Sequence, residues 1–352
     1  MKILHFLGSF LNGGIETLLI NVVNRQVSQG HEVAVMVGTD KWDAEMFQML
    51  DDRIKLFKVD KPIGSKNPWF FLKFIYYYKC YSPDVLHLHS PGVEHLFPFK
   101  PKKERRIVTV HNETITIPFS STVDQYIAIS QCVKDSFIRQ TGHDNCVICY
   151  NGINVNKFAQ KEIYQDHPTK LVVLGRILFN VKAQDQIVEA FSKLKPEIRD
   201  NLSLDFWGDG QDYEALKQLI DKFGLKKQVK LVGNVSNTHV TKHLRNYDMI
   251  ICASHHEGLG ITAIEAMTAG VPVLLSDALG FLEVTENGRY GKHFIHSNVN
   301  SLSQAMEHSY SDYAEMCIIA QKAVAYAKER FSIENYVANI LKLYSNHVEK
   351  NN

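Results

Sequence analysis

Two glutamates eight positions apart, Glu257 and Glu265, bracket a polar turn, two glycines and a helix start in Ser254–Glu265 (SHHEGLGITAIE). The apolar stretch Tyr247–Ala253 (YDMIICA) before it reads as a buried strand. Ala266–Gly270 after it closes the helix on a glycine, and Val271–Leu275 opens a second strand. Strand, glycine turn, helix, strand sets the positive end of a helix at the edge of a parallel sheet, a place for an anionic ligand. Glu265, four to five residues into the helix, is placed to accept two hydroxyl hydrogen bonds, as a ribose diol requires. Glu257 precedes the helix and addresses whatever sits at its N-terminus. Spacing alone equally allows a solvated helix residue and a loop charge.

Other residues add to this picture. Arg176 and Lys182 lie six apart in Gly175–Lys182, after the apolar run Lys170–Leu174. There a guanidinium can fork onto a phosphate and an ammonium adds a point charge. Gly13-Gly14 precedes another helical pattern and lets backbone approach a ligand, although a plain tight turn reads the same way. His111 ends a strand pattern and faces the same kind of edge. His87 and His89 alternate on one strand face as a candidate metal pair without an evident third ligand, so no metal site is expected. Gly258-Leu259-Gly260-Ile261-Thr262-Ala263 also fits G-x-G-x-x-A, with Asp277 following the next strand. That makes a nicotinamide oxidoreductase the rival reading. Against it, such a fingerprint opens its domain, whereas three strand patterns precede this one.

Positioning these groups takes a repeating scaffold. The 352 residues suggest two domains. A composition of 45% hydrophobic and 22% charged residues with net charge +1 is that of a globular chain without a global field for nucleic acid. No apolar run approaches the length of a spanning helix, and Met1–Leu7 runs quickly into Asn12-Gly13-Gly14 and Glu16, as a first strand and turn rather than a secretion signal. Six scattered cysteines point to reduced thiols and a cytoplasmic setting. Cys146 and Cys149 fall in a strand pattern, which suits small hydrophobes better than a zinc or redox pair. Strands are predicted at Lys2–Leu7, His31–Val37, Arg53–Val59, Pro83–His89, Arg106–His111, Gln125–Ser130 and Asn145–Tyr150. After a polar linker the pattern restarts at Lys170–Leu174, Leu202–Trp207 and Val229–Val232, with a helix predicted from about Ala183 to Leu194. Alternating strands and helices predict an α/β fold of two tandem, Rossmann-like, doubly wound parallel sheets facing across a cleft. The predicted domains are residues 1–160, joined by a C-terminal helix at 331–352, and residues 161–330.

Taken in order, these motifs resemble the retaining glycosyltransferases of the two-Rossmann GT-B type, family four. The resemblance spans nearly the whole chain: Gly13–Glu16, Asp84–Ser90, His111, Asn151–Asn154, Gly175-Arg176, Lys182, Gly208-Asp209-Gly210, the E-x7-E pair Glu257/Glu265, and Gly270–Val273. It implies a nucleotide-diphosphate sugar donor, with a UDP-sugar expected, held mainly by the second domain. It implies diphosphate contacts from Arg176 and Lys182, ribose contacts from Glu265 and sugar contacts from Glu257. Amides of Gly258, Leu259, Gly260, Ile261 and Thr262 meet phosphate and sugar, and Val235 joins the donor-side set. His111 lies by the transferred sugar, with Gly13 and Gly14 near phosphates or acceptor. The implied catalytic set is His111, Glu257, Arg176 and Lys182. The chain departs from the pattern in the bulky Leu178–Asn180 and in Ala183, where glycine is commoner. No D-x-D motif is present, so neither metal nor cofactor is expected. A non-catalytic sugar-nucleotide-binding protein is the remaining alternative.

On the acceptor side the resemblance implies a glycan or polyprenyl-linked acceptor in polysaccharide or glycolipid synthesis. Trp69–Tyr78 is apolar around the whole helix, and Lys100–Arg106 is a basic run. Together they suggest contact with an anionic membrane surface at the cytoplasmic face, against the plain reading of a packed helix and a solvated loop.

Overall fold

The computed structural model describes residues 1–345 apart from Asn12. The chain divides into two units, Met1–Ile153 with the segment from Ile333, and Asn154–Ser332.

The first unit holds seven strands: β1 (Lys2–Leu7), β2 (Glu32–Thr39), β3 (Lys55–Lys61), β4 (Val85–Leu88), β5 (Arg105–Val110), β6 (Gln125–Ala128) and β7 (Cys146–Ile148). They pair in parallel in the order β3-β2-β1-β4-β5-β6-β7. Helices cover such a sheet, so its strands are apolar along their length, as in the Val33–Val37 run of β2. The helix Gly14–Ser28 lays Leu18 and Val22 on the sheet. The last helix, Ile333–Ser345, packs Ile333, Val337 and Ile340 into the same cluster with Ile3, Val85 and Ile107. The remainder of the predicted C-terminal helix, residues 346–352, lies outside the described residues.

The second unit holds β8 (Lys170–Leu174), β9 (Ser203–Trp207), β10 (Val229–Gly233), β11 (Met249–Cys252), β12 (Val273–Ser276) and β13 (Lys292–Phe294). These pair in parallel in the order β10-β9-β8-β11-β12-β13. Both sheets thus follow the doubly wound order 3-2-1-4-5-6, whose direction reverses between the first and fourth strands. In the first unit that switch point lies between β1 and β4, in the second between β8 and β11.

The structure refines several expectations. The strand predicted over Tyr247–Ala253 begins at Met249 because Asp248 pins the chain before it. Its carboxylate accepts from the Thr169 and Lys170 amides and pairs with Lys161 at 3.0 Å. The helix predicted from about Ala183 to Leu194 is present as Gln184–Ser192, and a short helix not predicted, Phe179–Lys182, precedes it, the two separated by Ala183 at φ +51°. A left-handed residue breaks the helix ladder there, and glycine fits that conformation without the ~1 kcal/mol cost an alanine bears. Cys146 and Cys149 are buried, and burial pushes both thiols up to about 12, far from the thiolate that redox or zinc chemistry needs.

The basic run Lys100–Arg106 is not a solvated patch. Arg106 is fully buried, pairing with Glu104 at 2.9 Å and donating to the Phe97 and Phe99 carbonyls. Lys100 pairs with Asp124, and Arg105 donates to the Leu343 carbonyl. Of the cations in the run, Lys102 and Lys103 are the ones left exposed. A buried guanidinium needs a carboxylate and carbonyls around it, and Glu104 within the run and Phe97 and Phe99 just before it supply them. The helix Pro68–Tyr81 buries Phe74, Tyr78 and Tyr81, while Trp69, Leu72 and Tyr76 stay 65%, 56% and 64% exposed. No helix among the described residues is long and apolar enough to cross a membrane.

Candidate functional site

The second unit assembles its site at its switch point. The loop after β8 is Gly175–Ala183, and the loop after β11 is Ala253–Gly260. The His255 amide donates to the Val181 carbonyl at 2.9 Å, stitching the two together. Across this seam the Lys182 ammonium meets a Glu257 carboxylate oxygen at 2.7 Å, and Ser254 Oγ donates to the same oxygen at 3.3 Å. Lys182, Cys252, Ser254 and Thr262 line one small cavity between the loops. Arg176 lies exposed on the β8 loop. The structure therefore brings Lys182, Glu257 and Thr262 together, with Arg176 on the loop that carries Lys182.

Each loop has its own support. Gln184 holds the β8 loop by accepting from the Leu178 amide and donating to the Arg176 carbonyl. Asp212 takes the Phe179 amide at 2.7 Å. Gly208-Asp209-Gly210 follows β9 and lies directly on this loop. A Cβ on Gly208 would stand 2.0 Å from the Gly175 carbonyl oxygen, and one on Gly210 would stand 2.1 Å from that of Ile177. Those glycines exist to let two backbones touch. Gly280 does the same for the other loop, where a Cβ would meet the Glu257 carbonyl oxygen at 2.3 Å. Ser254, Gln184 and Gly280 are functional supports that sequence reasoning missed. Gly280 leaves a trace in the sequence, a glycine soon after a strand, whereas Ser254 and Gln184 act through contacts no spacing reveals.

The helix Ile261–Ala269 starts at Gly260, which caps it at φ +88°. The Phe281 ring would stand 2.6 Å from a Cβ on Gly260, so conformation and space both demand glycine there. The first amides of this helix have no intrahelical acceptor and carry the positive end of its dipole. The Leu259 side chain is buried in the core, so only its backbone faces the site. Glu265 follows Ile261 by four positions, one turn on, and is half-buried. Burial raises its carboxyl to about 7. Val235 lies after β10, at the sheet edge two strands from β8. The G-x-G-x-x-A turn follows β11, the fourth strand of its unit, whereas a dinucleotide fingerprint follows the first.

In the first unit, Gly13 and Gly14 open the helix Gly14–Ser28 beside the β1 end of the switch point. A Cβ on Gly14 would meet nothing within 4 Å, while one on Gly13 would meet the Glu16 carboxylate. His111 follows β5 with both ring nitrogens buried and unpartnered among the described residues. Burial lowers it to about 4, so it is a neutral imidazole at physiological pH.

Two parallel sheets in the 3-2-1-4-5-6 order, one with cations and a helix start gathered at its switch point, define the GT-B architecture. Residues 154–330 match the family Glycosyl transferases group 1, and residues 12–157 match Glycosyltransferase Family 4. The chain belongs to the glycosyl transferases group 1. It is 26% identical over 234 residues to an uncharacterized glycosyltransferase of Methanocaldococcus jannaschii, covering 62% of this chain and 59% of that protein. It is 23% identical over 322 residues to the GDP-mannose:cellobiosyl-diphosphopolyprenol alpha-mannosyltransferase of Xanthomonas campestris, covering 82% of each. Its fold superposes on the Anabaena HepE structure in complex with UDP and glucose with TM-score 0.81 at 20% identity, covering 98% of this chain and 100% of that one.

Proposed function

We propose that the protein is a retaining glycosyltransferase that moves a sugar from a nucleotide-diphosphate donor, foremost a UDP-sugar, to a glycan or polyprenyl-linked acceptor. The observation that carries this reading is the contact of Lys182 with Glu257 across the switch point, beside a glycine-capped helix start. One cation and one carboxylate placed there suit a ligand with a phosphate end and a hydroxyl end. Arg176, Lys182 and the amides of Gly258–Thr262 receive the diphosphate, Glu265 the ribose hydroxyls and Glu257 the sugar.

Transfer breaks the bond between the anomeric carbon and the diphosphate oxygen while the acceptor hydroxyl attacks from the same face. Negative charge grows on the leaving diphosphate, and fixed cations and helix-end amides stabilise that charge most where it is greatest. The acceptor proton passes to the departing phosphate oxygen, and no side chain is assigned as nucleophile. Metal independence belongs to the proposal: activity should survive EDTA. UDP in the Anabaena structure supports a uridine donor, while the GDP-mannose of the Xanthomonas relative's name sets the alternative base. That name's polyprenol supports a lipid-linked acceptor, and the exposed stripe Trp69, Leu72 and Tyr76 supports seating at the cytoplasmic membrane face.

A thermal-shift panel of UDP-, GDP- and ADP-sugars tests the reading, since a bound donor raises stability by mass action. One nucleotide series should raise the melting temperature, and Arg176→Ala should abolish the rise. No shift from any of them refutes the proposal.

A further inference from the structure

The first unit carries a buried histidine cluster that the donor site does not use. His5 on β1 and His87 on β4 are fully buried, and His89 just after β4 is 95% buried. Their ligating nitrogens lie within 4.8 Å of one another, close enough for a metal. The hydrogen bonds say otherwise. His87 Nδ1 meets Tyr344 OH at 2.6 Å and its Nε2 meets Thr109 Oγ1 at 2.7 Å. His5 Nε2 meets Gln26 Oε1 at 2.9 Å, and His5 Nδ1 meets His89 Nε2 at 3.0 Å. Five of the six ring nitrogens are thereby engaged, and His89 Nδ1 alone has no partner among the described residues. A metal would have to break bonds already made.

Those bonds have a direction. An amide oxygen only accepts, so His5 Nε2 carries the proton and donates to Gln26. His5 is a neutral imidazole, held so by burial that lowers it to about 4, and its Nδ1 is therefore an acceptor. The proton between the rings then belongs to His89 Nε2. His89 Nδ1 is left as a bare lone pair, buried and unpaired. It stands at the carboxyl end of β4, at the switch point of its sheet, with its ring stacked 5.8 Å from that of His111. An orphaned acceptor at that edge lacks only a donor.

We propose that Gln26 and His5 fix the tautomer of His89 so that its Nδ1 accepts a hydrogen bond from a hydroxyl of the ligand bound beside His111. This makes His89 a binding residue, and Gln26 and His5 positioning residues that act through it. The assignment rests on the functional reading above, in that the ligand is a hydroxyl-rich sugar.

Nitrogen-15 NMR of the full chain labelled at histidine reads the tautomers directly. His5 and His89 should both show protonated Nε2 and bare Nδ1. Gln26→Glu, which keeps an accepting oxygen, should preserve this, and Gln26→Leu should release His5 to a mixture. A protonated Nδ1 on His89 overturns the proposal. UDP-glucose, GDP-mannose and glucose then serve as probes. A probe that raises the melting temperature should move the His89 Nδ1 resonance upfield, and one that binds without moving it overturns the contact. If no probe shifts melting, the functional reading fails while the tautomers still decide the relay. His89→Asn, whose amide oxygen replaces Nδ1, should bind the active probe within a few-fold of wild type. His89→Phe should weaken it about tenfold, as loss of one neutral hydrogen bond does. A packing role alone predicts the reverse order.

Discussion

Glu265→Gln should make the protein more stable and a worse nucleotide binder at once. Burial raises the Glu265 carboxyl from 4.5 to about 7. In the unfolded chain the group ionises at its ordinary value, so the native state holds the proton more tightly. Stability is then complete below pH 4.5, falls as pH rises, and has lost its full share above about 7. At about 1.4 kcal/mol per pH unit the gap corresponds to roughly 3 kcal/mol, an upper figure for a half-buried group. Glutamine has the same shape and cannot ionise. The variant should melt up to about 10 °C higher than wild type at pH 8, on the scale of a few degrees per kcal/mol for a domain this size, with the difference vanishing toward pH 4.5. The proposed charged acceptor of the ribose hydroxyls is lost at the same time, so nucleotide affinity should fall about tenfold. Calorimetric melts from pH 4.5 to 8, with and without UDP, read both effects. A melting difference independent of pH would refute the burial argument, and undiminished affinity would refute the ribose assignment.

Glu257→Gln removes the negative charge that holds Lys182, so UDP binding measured by calorimetry should tighten a few-fold, about 1 kcal/mol, while sugar transfer slows. Glu104→Ala strands the buried Arg106 guanidinium and should cost about 3–5 kcal/mol in denaturant titration, whereas Glu104→Leu with Arg106→Met should recover most of it. His5 and His111, lowered to about 4 by burial, hold neutral rings in the fold, so the first unit should lose stability as pH falls from 6.5 toward 4, opposite to the Glu265 effect in the second. Flotation with anionic liposomes should recover wild type and lose the triple change of Trp69, Leu72 and Tyr76 to serine; equal flotation of both would remove the membrane stripe from the account.

Much of the architecture could be read in the chain because parallel strands are apolar throughout and the linking helices keep their own period. The strand Lys170–Leu174 covers the predicted residues, an apolar run that stops at Gly175. Legibility failed where tertiary contacts set the boundary: Asp248 delays the start of one strand, and the short helix Phe179–Lys182, set off by the left-handed Ala183, has no signal in the pattern. In the site, Glu257, Glu265, Arg176 and Lys182 stood out because charge next to glycine at a strand end is conspicuous. Their mutual contact was not legible, because β8 and β11 are far apart in sequence and adjacent only through the winding order. The basic run misled for the same reason. A charge count sees Arg106 but not the Glu104 carboxylate and the carbonyls that bury it. His87 and His89 are visible as an alternating pair, while His5, which links His89 to Gln26 in a directed hydrogen-bond line, lies on β1, far earlier in the sequence.

Nucleoside diphosphate release is the direct readout of the proposed transfer. Purified protein should be offered UDP-glucose, UDP-galactose, UDP-N-acetylglucosamine, GDP-mannose and ADP-glucose in turn with short saccharide and polyprenyl-diphosphate acceptors, and the product linkage determined by NMR. Release is expected from one donor series, lost on Arg176→Ala and on Glu257→Ala, unaffected by EDTA, with the anomeric configuration of the donor kept in the product. Release that persists in both variants, or a product of inverted configuration, would contradict the proposal.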